Sequence, residues 1–223
     1  MSSRELILGR IHSALADVPA DEAAAWTRTG DLDPAAAYAL GAEGDREALL
    51  SLFAQRCGDY RATVTRCADE PESIATAVGA ACGRQAARAV VIPSDLPRGW
   101  LPIGLEARAD DSPPLSLPEL DGIDGVLTGC ALAIAVTGTI ALDSGPGQGR
   151  RALTLVPDLH VCVVRGEQVV YGVVNAVAAL GAAVRRSGAP LTLISGPSAT
   201  SDIELERVEG VHGPRRLEVV LVG

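Results

Sequence analysis

Read for the spacing of its apolar positions, the chain alternates between two periods. Residues 3 to 17 put Leu6, Ile7, Ile11, Ala14 and Leu15 on one helical face, with Ser2 or Ser3 as a candidate N-cap. Residues 18 to 44, rich in Ala, Asp, Gly and Pro, carry no firm period and read as a surface loop. From Asp45 the pattern becomes regular. "REALLSLFAQRCGDY" predicts a helix, "RATVTRC" a strand, "EPESIATAVGAACGR" a helix with Pro71 in its first turn, and "ARAVVIP" a short buried strand. Strand–helix–strand is the pattern of a parallel sheet. Residues 93 to 122 contain six prolines and many acidic residues, and predict a long connection with one short helix. "GVLTGC", "LAIAVTGTIALD", "ALTLVPDLHVCVV" and "EQVV" then predict closely spaced strands joined by Gly-rich turns. "VVNAVAALGAAVRR" predicts a helix, "PLTLIS" a strand, "SDIELERVE" a helical turn or two, and "RRLEVVLVG" the last strand. The domain organisation expected is an N-terminal helix and loop over 1–44 and one α/β domain over 45–223.

Composition narrows the class. Of 223 residues, 48% are hydrophobic but only 3% aromatic, so Val, Leu, Ile and Ala must build the core, as buried parallel strands do. A net charge of −9 argues against a nucleic-acid partner. Cys57, Cys67, Cys82, Cys130 and Cys162 are scattered and never spaced C-x-x-C, so neither a zinc nor an iron–sulfur site is expected; buried reduced thiols are. The N-terminus has charges at Arg4, Glu5 and Arg10 and lacks a long apolar run, which points to neither a leader nor a membrane span and to a cytoplasmic location. All 19 basic residues are arginine, which excludes lysine Schiff-base chemistry.

Three segments carry candidate chemistry. In "AVTGTIALDSGPGQGRR", Thr137 and Thr139 end one strand, and Asp143 and Ser144 precede Gly145, Gly147, Gln148 and Gly149. Those glycines can present backbone N–H groups, and Arg150 and Arg151 add charge, as a nest for a carboxylate or phosphate requires. The same glycines also suit a wide hairpin that only turns the chain. In "LISGPSATSDIELE", Ser195, Gly196, Ser198 and Thr200 lie between a strand and a helix start, where anions bind. Asp202 and Glu204 belong to that start, and Ser201-x-x-Glu204 matches a capping box, which alone would explain the pair. In "GVHGPRR", His212 sits in a rigid loop, either as a ligand-facing acid–base group or as an inert residue. His160 reads as a satisfied strand residue, and His12 has no role.

"TGTIALDSGPGQGRRALTLVPDLHVCVV", "ISGPSATSDIE" and "GVHGPRRLEVVLV" resemble the lactate-utilisation LUD-domain family, protein C branch, over residues 45 to 223. That resemblance implies a Rossmann-like sheet of the NagB/RpiA/CoA-transferase-like type and a place beside two iron–sulfur partner proteins that oxidise L-lactate to pyruvate. Such a subunit would supply a small-anion pocket and assembly contacts, with no cluster or other cofactor of its own. The pocket expected comprises Thr137, Thr139, the 144–149 loop, residues 195–200 and His212, with Arg150 or Arg151 neutralising a small carboxylate such as lactate or pyruvate. Two other readings stand beside it: a stand-alone transferase or isomerase acting on a CoA-linked or phosphorylated small acid, and a metabolite-binding regulatory module.

Overall fold

A computed structural model describes residues 3–14, 46–188, 190–200, 208–209 and 212–223. The chain divides into two units, Met1–Leu40 and Gly41–Gly223. In the first, helix α1 spans Ser3–Ala14; Leu15 and Ser2, the expected end and one candidate cap, lie outside the described residues.

The second unit is built on six parallel strands: β1 (Thr63–Cys67), β2 (Ala89–Pro93), β3 (Glu106–Asp110), β4 (Gly125–Thr128), β7 (Leu159–Arg165) and β12 (Arg216–Val222), in the spatial order β1-β12-β7-β4-β2-β3. The central strands β4 and β7 and their neighbour β12 are buried almost throughout, because both sheet faces are covered. Alternation divides their side chains. Leu159, Val161, Val163, Val220 and Val222 pack on helix α3 (Pro71–Arg84) through Ile74, Val78 and Ala81. Cys162, Val164, Leu217, Val219 and Leu221 face helix α2 (Arg46–Asp59), where Leu50, Phe53 and Cys57 meet them. Pro71 opens α3, where its missing N–H costs nothing.

The second face also carries a four-stranded sheet, β8-β5-β6-β9. Strands β5 (Leu132–Ile134) and β6 (Thr139–Leu142) form an antiparallel hairpin, flanked by β8 (Val169–Val170) and β9 (Thr192–Ile194). Helix α5 (Val173–Ser187) covers it with Ala176 and Leu180. A short ladder, β10 (Ala199–Thr200) with β11 (Val208–Glu209), follows.

Three sequence expectations need correction. The 93–122 connection holds helix α4 (Leu117–Asp121) but also the edge strand β3, whose polar residues "EARAD" have no apolar run because an edge is wet on one side. "ALTL" is a 3-10 turn, Arg151–Thr154, rather than a strand: Leu153 plugs a pocket formed by Val91, Leu120 and Val126 while the chain returns to the start of β7. The end of "SDIELERVE" is β11 rather than helix, because Val208 pairs with Thr200; its first seven residues lie outside the described ones.

Candidate functional site

A cleft of about 220 Å³ opens at the amino ends of β7 and β12. His160 and Leu217, register partners on those strands, form part of its wall, and the 3-10 turn contributes Arg151 and Thr154. The segment after β9 adds Ser195, Gly196 and Ser198, and the loop before β12 adds His212.

Arg151 dominates its electrostatics. The guanidinium folds back over its own turn: Nη1 donates to the Thr154 carbonyl (2.7 Å) and to Thr154 Oγ1 (2.9 Å), and Nη2 donates to the His212 carbonyl (3.2 Å). Those bonds consume three of its five protons. The Nε–H and one Nη2–H have no partner among the described residues. No carboxylate among them pairs with this arginine either. Burial draws its pKa down, yet the group stays cationic. A half-buried charge surrounded by neutral groups leaves two donors open to an anion.

The surrounding loops are tied together. The Ser198 backbone N–H donates to the Pro214 carbonyl (2.8 Å), and Ser198 Oγ accepts from the His212 N–H (3.1 Å). Ser195 Oγ shares a hydrogen bond with Thr139 Oγ1 (2.7 Å), which shares another with Thr137 Oγ1 (2.7 Å). Of that hydroxyl chain only Ser195 lines the cleft. Gly196 has φ +81°, and a Cβ there would lie 2.6 Å from the Tyr60 carbonyl oxygen, so the segment sits where only glycine fits.

The glycine loop goes elsewhere. Asp143 Oδ1 accepts from the Gly145 N–H (3.0 Å) and from Gln148 Nε2 (2.8 Å), while Gln148 Oε1 accepts from the Asp143 N–H (2.8 Å). Ser144, Gly147 and Gly149 take the positive φ that this turn requires. The Gly147 N–H points at Asp95 (2.9 Å). The anions nested on this loop are therefore the protein's own carboxylates. Arg150 is likewise committed: Nε and Nη2 grip Asp110 (2.8 and 3.0 Å), joining the loop to β3 and holding the Asp110 carboxyl below the usual carboxylate range. Beside Gly147, at the carboxyl end of β4, lies a second cavity of about 200 Å³ with Asp95, Trp100, Cys130, Arg165 and Gln168. Arg165 stacks over Trp100 (5.8 Å) and pairs with Asp69 (2.9 Å).

Of the residues singled out from sequence, the structure thus gathers Arg151, Ser195, Gly196, Ser198 and His212 in one cleft. Thr137 and Thr139 stand behind Ser195. Asp143, Ser144, Gly145, Gly147, Gln148, Gly149 and Arg150 do not line it. Thr200 lies in β10, and Asp202 and Glu204 lie outside the described residues. Sequence reasoning missed Thr154 and His160. His160 is not satisfied as expected: Nε2 is 2.8 Å from Thr128 Oγ1, but buried Nδ1 has no hydrogen-bond partner. For His160 the available signal was a His and a Thr, Thr128, set in two otherwise apolar strands.

Among the described residues no cluster of three or more His, Cys, Asp or Glu could hold a metal ion. No described helix is long and apolar enough to cross a membrane. A family model described as LUD domain matches residues 118–222. A Deinococcus radiodurans protein named lactate utilization protein C is 50% identical over 205 residues, covering 91% of this chain and 92% of that protein. A Geobacillus kaustophilus protein of the same name is 28% identical over 78% of each chain. The crystal structure of a DUF162 family protein from Deinococcus radiodurans superposes with a TM-score of 0.70 at 46% identity, over 81% of this chain and 99% of that one.

Proposed function

Since the chain belongs to the LUD-domain family, alongside the lactate utilization protein C relatives, we propose that it serves lactate utilisation as the cluster-free subunit of an L-lactate-oxidising iron–sulfur complex. In this reading it holds a small anion, lactate or pyruvate, in the cleft at the amino ends of β7 and β12. Partner proteins bearing ferredoxin-type cysteine motifs, which the family resemblance implies, carry the electrons. The observation behind the pocket is that Arg151, a half-buried cation, keeps its Nε–H and one Nη2–H unpaired and has no carboxylate partner among the described residues. A carboxylate of the ligand would take these protons, with the Ser195 and Ser198 hydroxyls and His212 within the same cleft.

Titration calorimetry with L-lactate, pyruvate and phosphate tests the pocket. Wild type should bind lactate or pyruvate between micromolar and low millimolar. Arg151→Ala should weaken binding about 10- to 100-fold, the worth of a charge-assisted pair of hydrogen bonds. Arg150→Ala, whose guanidinium is already spent on Asp110, should bind as wild type does. Equal binding by wild type and Arg151→Ala would remove the pocket. Affinity purification from the native source tests the complex: iron and sulfide should co-purify, and a partner-indifferent monomer would defeat that part.

A further inference from the structure

His160 is 1% exposed and stands in β7 on the same face as Cys162 and Val164. Its Nε2 is tied to Thr128 Oγ1 at 2.8 Å. Among the described residues, its Nδ1 is the one buried side-chain nitrogen or oxygen without a hydrogen-bond partner. Buried polar atoms are almost always paired, so an orphan of this kind asks for a partner that the protein itself does not supply. The ring lines the cleft that also contains the unpaired donors of Arg151.

We propose that His160 is the specificity-determining residue of this cleft, its Nδ1 pairing with a second oxygen of a short acid whose carboxylate lies on Arg151. The ligand class is then a hydroxy- or oxo-carboxylate rather than a plain carboxylate. This rests on the anion-binding reading of the cleft and adds to it the group that distinguishes one small acid from another. The Thr128–His160 pair suits both members of the class. When the Thr128 hydroxyl donates to Nε2, Nδ1 carries the proton and donates to an oxo group. When Nε2–H donates to Thr128, Nδ1 accepts from a hydroxyl, and the Thr128 proton is free to turn toward Cys162 Sγ, 4.0 Å away. The two neutral tautomers of the ring therefore offer the two donor senses of Nδ1 without moving the ring: the proton leaves one nitrogen as another is taken up at the other, and the Thr128 hydroxyl turns to match. Leu193 and Leu217 supply apolar wall for the alkyl end, and a volume of about 220 Å³ restricts the guest to a few carbons.

The test compares propionate with L-lactate and pyruvate, which have three carbons each and differ only at the second carbon. Wild type should prefer L-lactate or pyruvate to propionate about tenfold, equivalent to about 1.4 kcal/mol. His160→Phe should lose the preference among the three acids to within about twofold. The chain has three histidines, so ¹⁵N-histidine spectra of the unaltered protein are readily assigned. The His160 Nδ1 resonance should move on adding lactate or pyruvate and stay put with propionate. That measurement decides the matter even if His160→Phe does not fold. Equal affinity for the three acids, or an Nδ1 resonance that ignores the second oxygen, overturns the assignment of His160 while leaving an anion site intact. Failure of all three acids to bind instead removes the anion-binding reading, and this inference with it.

Discussion

Cysteine chemistry in this chain is decided residue by residue, by what surrounds each sulfur. Cys57 is on the buried side of α2, and burial together with the neighbouring Cys162 pushes its thiol up to about 12. Burial raises Cys82 to about 11, with the charges of Glu218 and Asp124 adding to it. Contact with Cys162 and burial hold Cys130 well above the ordinary thiol range. Only Cys67, at the end of β1, is half-exposed, and burial raises its pKa as well. A thiol with a pKa near 12 is ionised to about one part in ten thousand at pH 8, and the thiolate is the nucleophile. Cys162, whose contacts with Cys130, His160 and Thr128 draw its thiol down, is fully buried and out of a reagent's reach, so iodoacetamide at pH 8 should label the native protein slowly and at Cys67, while the denatured chain takes up five labels. Mass spectrometry of both samples checks this. Rapid native labelling at Cys57 would mean that the α2 face of the sheet is not packed as described, and at Cys82 the α3 face.

Between elements, the decisive contact is a charge placed where a sheet normally keeps hydrocarbon. Glu218, 1% exposed, interrupts the apolar run of β12 on the α3 side. Arg84 in the last turn of α3 donates to it from Nε (3.2 Å) and Nη2 (2.6 Å), Gln85 adds a bond of 2.7 Å, and Arg84 also reaches Thr65 Oγ1 (2.7 Å). The cluster fastens the end of α3 to both β12 and β1. Arg84→Met would strand a carboxylate in the interior, at a cost of about 3 kcal/mol and roughly a 10 °C lower Tm for a chain of this size. Arg84→Met/Glu218→Met should recover most of that loss, since a buried ion pair is often replaceable by apolar side chains. Urea melts of both variants measure it, and a single-variant cost under about 0.5 kcal/mol would show that the pair is idle. Elements with a covered face, such as α3, β2, β7 and β12, were legible because burial imposes a period on the sequence. β3 was not, since an edge strand need not be apolar, and the turn at Arg151–Thr154 was not, since Ala-Leu-Thr-Leu fits an extended or a helical turn equally well. For the cleft, Ser195, Ser198 and His212 were legible as polar residues in rigid Gly/Pro loops. Arg150 and Arg151 could not be told apart, because only the backbone of the turn decides which one faces Asp110. His160 was hidden because its one partner, Thr128, is 32 residues away and meets it through the register of β4 against β7.

Over the whole molecule, two opposing effects govern the response to acid. At pH 7 the chain carries a net charge of −9 and repels itself, a strain that relaxes as the pH falls toward the isoelectric point near 4.8. Against this, two carboxylates act as clamps. Asp110 receives Arg150 and the Leu115 N–H (2.8 Å), closing the glycine loop onto β3. Asp124 accepts from the Arg88 and Ala89 backbone N–H groups (2.7 and 2.9 Å), pinning the start of β2 beside β4. The Arg150 bonds hold Asp110, and the Ala89 and Arg88 N–H groups hold Asp124, below the usual carboxylate range. A carboxyl with a depressed folded-state pKa stabilises the fold fully above its unfolded value, about 3.9, and loses that contribution as the pH falls through the lower folded value. Stability should thus stay level or rise slightly from pH 7 to pH 5, then drop steeply below about pH 4. Asp110→Asn gives up its clamp at every pH, so it should be less stable than wild type at pH 7 and converge with it toward pH 3. Urea midpoints at pH 7, 5, 4 and 3 for both proteins measure the gap. If the two curves run parallel down to pH 3, the Asp110–Arg150 clamp contributes nothing to the acid response, and the loss below pH 4 belongs to Asp124 and the remaining carboxylates.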